Sequence, residues 1–72
     1  MVEQQRRPVA ILRLKQVQER TGLSRSTIYQ RIRSNKFPRQ VSLGGQRAVG
    51  WIEQSITDWI EQQIAASRKV AS

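Results

Sequence analysis

Arg25, Ser26 and Gln30 are the side chains best suited to recognition by hydrogen bonding. An arginine fork donates two parallel hydrogen bonds and matches guanine O6 and N7. A glutamine amide matches adenine N6 and N7, and a serine hydroxyl fits either base. Ser24, Thr27, Tyr29, Arg33 and Lys36 surround them with the hydroxyls and cations that hold phosphates. The set recognises; it does not break bonds. The chain has no His and no Cys, which removes the commonest general base, the thiolate and the commonest metal ligands. Ser24 has no base to activate it, so helix capping explains it better than nucleophilic attack. Asp58 and Glu61 flank Trp59 and Ile60 on one helix as solvated charges. Gly44-Gly45 lacks the Gly-Lys-Ser/Thr that would complete a phosphate-cradling loop. The expectation is a binding protein, not an enzyme, with no cofactor and no metal.

These residues need a helix to present them. Gly22 can take the left-handed conformation that ends one helix, Leu23 sits under the turn, and Ser24 caps the next helix. Ile28 and Ile32 fall four apart and mark a buried face. Ser26, Gln30 and Arg33 lie roughly opposite, with Tyr29 on the flank. A helix over residues 25–34 with an aliphatic inner stripe and a polar, basic outer face suits the DNA major groove.

Charge agrees with that placement. The chain of 72 residues carries +8 at pH 7. Residues 1–51 hold eleven of the thirteen Lys and Arg but only two of the five acids, so the basic excess surrounds the candidate helix. Ten of the thirteen cations are Arg, the residue better matched to phosphates and bases. A chain of this length makes one small domain. No apolar run reaches the roughly 20 residues needed to span a bilayer, and residues 1–8 lack the apolar core of a signal peptide. The absence of Cys fits a reducing compartment. The expected location is the cytoplasm, on the bacterial nucleoid.

Along the chain, residues 1–8 read as a disordered arm, first of all a solubilising tail, with minor-groove contact by Arg6 and Arg7 as the alternative. Residues 9–12 form a short apolar strand or extended segment. A first helix is expected over Leu14–Thr21, with Leu14, Val17 and Leu23 on its buried side. Leu14 is a poor N-cap, so packing is expected to hold that start. Asn35 is the expected stop of the second helix, and Lys36 complements its dipole. Phe37-Pro38 forces an extended chain, with Phe37 anchored in the core. Residues 40–43 alternate as a half-buried strand, Gly44-Gly45 turns, and residues 48–51 pair back. Arg47 lies near the tip of this hairpin as the wing contact. Gly50 permits a close approach, expected beneath Trp59. The last helix is expected over residues 53–66, with Ile52, Ile56, Trp59, Ile60 and Ile64 on one face and Glu53 at its positive end. Trp51 and Trp59 are expected in the core. Residues 67–72 are expected to fray. The domain proper is therefore residues 9–66.

Helix, tight turn, helix, hairpin and helix make a mainly α fold with a small β-hairpin. This is a winged helix-turn-helix, in which the two-stranded wing precedes the C-terminal helix. At this point Ile11-Leu12-Arg13-Leu14-Lys15-Gln16-Val17, Thr21-Gly22-Leu23-Ser24-Arg25-Ser26-Thr27-Ile28-Tyr29, Phe37-Pro38, Leu43-Gly44, Arg47-Ala48-Val49-Gly50-Trp51 and Asp58-Trp59-Ile60 resemble the AlpA family of phage and prophage transcriptional regulators. That family is similar in fold to phage excisionases and to the DNA-binding domain of MerR-type regulators. The resemblance covers about residues 10–65. It implies a winged helix-turn-helix that binds DNA near promoters or attachment sites of mobile elements, activating an integrase gene or assisting excision. Two positions depart from the pattern. Arg31 stands where an aliphatic residue is frequent, and its stem could follow the core edge while its head meets phosphate. Asn35 stands where glycine is usual.

The expected function is sequence-specific binding of double-stranded DNA by a transcriptional regulator of a phage or mobile element. Arg25, Ser26 and Gln30 contact bases, and Ser24, Thr27, Tyr29, Arg33 and Lys36 contact the backbone. A single module of this size covers little DNA, so self-association on DNA is expected. RNA polymerase and an integrase are the candidate protein partners, and no membrane is involved. The same module could instead bend DNA for an integrase as an excisionase. A reading from another class is an adaptor that docks a partner protein through its last helix.

Overall fold

The computed structural model describes residues 9–45 and 48–71, with side chains placed through Arg68. The arm of residues 1–8 and the wing residue Arg47 lie outside the described residues. The element order is β1 (Ile11–Leu12), α1 (Leu14–Thr21), α2 (Arg25–Arg33), β2 (Val41–Ser42), β3 (Val49–Ile52) and α3 (Glu53–Ala71). The expected helix-turn-helix, hairpin and C-terminal helix are all present.

Local signals set both junctions around α2. Gly22 sits at φ 74 and its N–H donates to Gln18 O at 2.7 Å, closing α1 in the left-handed region that glycine tolerates. Two residues later Ser24 caps α2, its Oγ accepting from Thr27 N–H at 3.2 Å. Ser24→Ala should therefore lower stability by about 1 kcal/mol, a shift of several degrees in a thermal melt. An unchanged melting temperature would show that this hydroxyl does not hold the helix. At the far end Asn35 takes φ 59, as expected of the helix stop. Lys36 N–H then reaches Arg31 O at 2.8 Å and Asn35 N–H reaches Ile32 O at 3.0 Å, the paired bonds of a Schellman ending.

The start of α1 differs from expectation. Arg13 is the N-cap, and Gln16 Oε1 accepts its backbone N–H at 2.8 Å. One local hydrogen bond thus supports a start that the sequence left to packing.

The sheet has three antiparallel strands in the order β1-β3-β2. Ile11 and Leu12 pair with Ile52 and Trp51, and Val41 and Ser42 pair with Gly50 and Val49. The apolar segment before α1 therefore extends the hairpin into a sheet. Its inner face brings Leu12 and Trp51 onto Val17, Ile28, Ile32, Phe37 and Ile56, the buried core. Gly50 lies on the other face. A Cβ there would run into the Ile11 side chain, with Leu12 O at 3.1 Å and Leu43 Cδ1 at 3.2 Å. Ile11 and Leu43, not Trp59, are what crowd Gly50.

α3 departs from the sequence reading twice. It continues to Ala71 instead of ending near Ala66, because no Gly or Pro interrupts residues 67–71 and cations near its end suit the helix dipole. Its apolar stripe is also only partly used. Ile56 is fully buried and Trp59 and Ile60 are half-buried, but Ile64 is 46% exposed, and Ile52, which ends β3 instead of joining the helix, is 36% exposed. All residues from Glu61 to Arg68 are exposed, since the small core covers only the first turns. Glu53 sits in the first turn as expected, ion-paired to Arg20 of α1 at 3.5 Å. Arg20 also donates to Thr57 Oγ1 at 3.0 Å.

Candidate nucleic-acid interface

Ile28 and Ile32 anchor α2, and the opposite side faces outward as a ridge. Ser26, Gln30 and Arg33 are exposed along it, Arg25 is exposed at the first turn on the Tyr29 side, and Thr27 and Tyr29 are half-buried on its flanks. Among the described residues the one ion pair is Arg20–Glu53. The cations of α2 therefore meet no described carboxylate within ion-pair distance and remain available to an anion.

The ridge divides the expected site residues. Ser24, Arg25, Ser26, Tyr29 and Arg33 line a shallow concavity of about 550 Å³ on one side. Thr27, Gln30 and Lys36 belong to a broader groove of about 980 Å³ between α2 and α3, together with Arg31 and Trp59. Arg25 and Gln30 thus border different concavities on the two flanks of one helix.

Arg25 is positioned through two aromatic rings. Its guanidinium lies 5.6 Å from the centre of the Tyr29 ring, and Tyr29 meets the buried Trp51 edge-on with centroids 6.2 Å apart. This contact limits the freedom of an exposed arginine. The i, i+4 spacing of Arg25 and Tyr29 is the sequence signal for it. Tyr29 accordingly leans on the sheet through Trp51. Trp51 is wholly buried, and its Nε1 donates to Pro38 O at 3.1 Å.

Ser24 is already engaged. Its hydroxyl donates to Thr27 Oγ1 at 2.9 Å while accepting from Thr27 N–H. Thr27 keeps its own hydroxyl proton for an outside acceptor. A phosphate contact from Ser24 requires its proton to turn away from Thr27.

For Arg31 the sequence offers a stem along the core edge, and the structure places it, half-buried, against Trp59. Its guanidinium lies 6.0 Å from the centre of the Trp59 ring. Trp59 is fixed by donating from Nε1 to Lys36 O at 3.0 Å and by meeting Phe37 edge-on at 4.8 Å. Asn35 bonds Arg39, its Oδ1 accepting from Nη2 at 3.3 Å. Among the described residues no group of His, Cys, Asp or Glu could hold a metal ion, and no helix is long and apolar enough to cross a membrane.

Comparison with known proteins places this arrangement. The family described as "Prophage CP4-57 regulatory protein (AlpA)" matches residues 10–64, which take in every element from β1 into α3. The chain belongs to the AlpA family. One relative, the DNA-binding transcriptional activator AlpA of Escherichia coli (strain K12), is 39% identical over 64 residues, covering 81% of this chain and 90% of the relative. Another, the uncharacterized protein ORF88 of Enterobacteria phage P4, is 47% identical over 58 residues, again 81% of this chain. The chain spans 65% of that phage protein's length. No solved structure matches the chain at a significant level. The AlpA-family match runs through both helices of the helix-turn-helix and the paired strands after them, so the ridge of α2 and its flanking concavities lie within the shared region.

Proposed function

We propose that this AlpA-family protein is a DNA-binding transcriptional regulator of a phage or mobile element, with α2 in the major groove of duplex DNA. The observation that carries this reading is the exposed ridge of α2. It presents Arg25, Ser26, Gln30 and Arg33 outward from a helix fixed by Ile28 and Ile32, in a chain of charge +8. The E. coli relative's role as a DNA-binding transcriptional activator supports it. Base contacts fall to Arg25, Ser26 and Gln30. Phosphate contacts fall to Thr27, Tyr29, Arg33 and Lys36, to Ser24 once its proton is redirected, and to Arg47 at the wing. Several copies share one regulatory region, because one small module covers little DNA. RNA polymerase or an integrase is the next partner, and the protein works on the nucleoid without catalysing a reaction. An excisionase would use the same contacts and is distinguished by bending its site.

The division between bases and phosphates is testable by substitution. Arg25→Ala should relax discrimination at one base position, worth roughly 1–3 kcal/mol there. Arg33→Ala should weaken binding to all sequences alike. Binding of both variants to a panel of singly substituted duplexes checks this. Uniform loss by both would remove Arg25 from the base-reading set.

A further inference from the structure

A helix lying in the major groove has a DNA strand on each side, the groove being about 12 Å wide. The surface beside α2 is concave on both flanks. We propose that the groove between α2 and α3 seats the sugar-phosphate backbone of one strand, with Arg31 as its clamp and Gln62 and Gln63 of α3 as further phosphate donors. This rests on the reading of α2 as the major-groove helix and adds α3 to the interface.

The lining favours a phosphodiester chain. Arg31 and Lys36 both border the groove, and Asp58 is the one acid in its lining. Asp58 Oδ1 accepts from Gln54 Nε2 at 2.9 Å, which turns the carboxylate along α3, and the two cations of the lining outnumber it. The remaining polar lining consists of hydroxyls and amides, including Gln62 and Gln63, which can donate to phosphate oxygens. Apolar lining is confined to Phe37, Pro38 and Trp59, too little to anchor a partner helix.

The Trp59 ring gives Arg31 its function. An arginine stacked on an aromatic face keeps its N–H edge free for a bidentate contact and loses little freedom on binding. Trp59 can serve as that platform because its own N–H is held by Lys36 O, which ties the two cationic positions of the groove together.

Two variants test the seat on a duplex bound by the wild-type protein. R31M keeps a stem over Trp59 but removes the charge. Q62E/Q63E places two carboxylates on an exposed stretch of α3, away from the core. R31M should weaken binding about tenfold across all sequences and reduce the salt slope by about 0.9, one phosphate contact. Q62E/Q63E should weaken binding severalfold at low salt, with an unchanged melting temperature. Should R31M lower the melting temperature, Q62E/Q63E decides. Wild-type affinity for Q62E/Q63E, or an unchanged salt slope for a folded R31M, would show that the groove does not seat a strand while the DNA reading stands. A wild-type protein that binds no duplex would overturn the underlying reading as well.

Discussion

Trp51→Ala removes a large share of the stability of this domain. The side chain is wholly buried and its strand lies in the centre of the sheet, paired to β1 through Leu12. It supports Tyr29 of α2 and donates to Pro38 O in the segment leading to β2. Truncating a buried aromatic costs about 3–5 kcal/mol. A domain of this size has only about 4–11 kcal/mol in total at 0.05–0.15 kcal/mol per residue. The variant should therefore melt about 15 °C or more below the wild type, or not fold at all. Trp59 remains as a fluorescent probe of the transition. A loss within 1 kcal/mol of the wild type would show that Trp51 is not the centre of the core. Because Tyr29 leans on Trp51 and Arg25 on Tyr29, any folded remainder should also bind DNA less selectively.

The helix-turn-helix was legible because its signals are local. Gly22, Ser24 and Asn35 each act on their own turn of backbone, and the structure finds them at the α1 ending, the α2 cap and the α2 stop. Ile28 and Ile32 were legible by spacing alone. α3 was legible in its phase but not in its extent. Periodicity says which face is apolar, not where a small core stops covering it, so Ile64 was expected inside and is exposed. The two-residue strand β1 has no periodicity to detect, and its pairing with β3 depends on residues about forty positions away. The neighbours of Gly50 follow from that register and could not be named before it was known.

The site shows the same division. The outward residues of α2 follow from helix geometry. The two concavities beside them do not, because one is built by α3. Arg31 looked like a departure from the family pattern while its partner, Trp59, was hidden by sequence distance. The structure makes it a stacked cation at the edge of that groove.

Electrostatics carries the second large effect. The cations proposed to meet phosphates are Arg31, Arg33, Lys36 and Arg47, on a chain of net charge +8. Each phosphate neutralised by a cation releases counterions and contributes about −0.9 to the slope of log affinity against log salt. Four such contacts cost about a hundredfold in affinity between 50 mM and 200 mM salt. An adaptor that docks a protein through α3, with incidental basic charge, would show no such dependence. The most direct measurement is therefore a salt titration of wild-type binding to the duplex flanking its own gene, beside a scrambled duplex of equal length. A slope of about −3 or steeper, with the flanking duplex bound more tightly at every salt concentration, is the predicted result. Weak, salt-insensitive binding to both duplexes would contradict the assignment of α2 to the major groove.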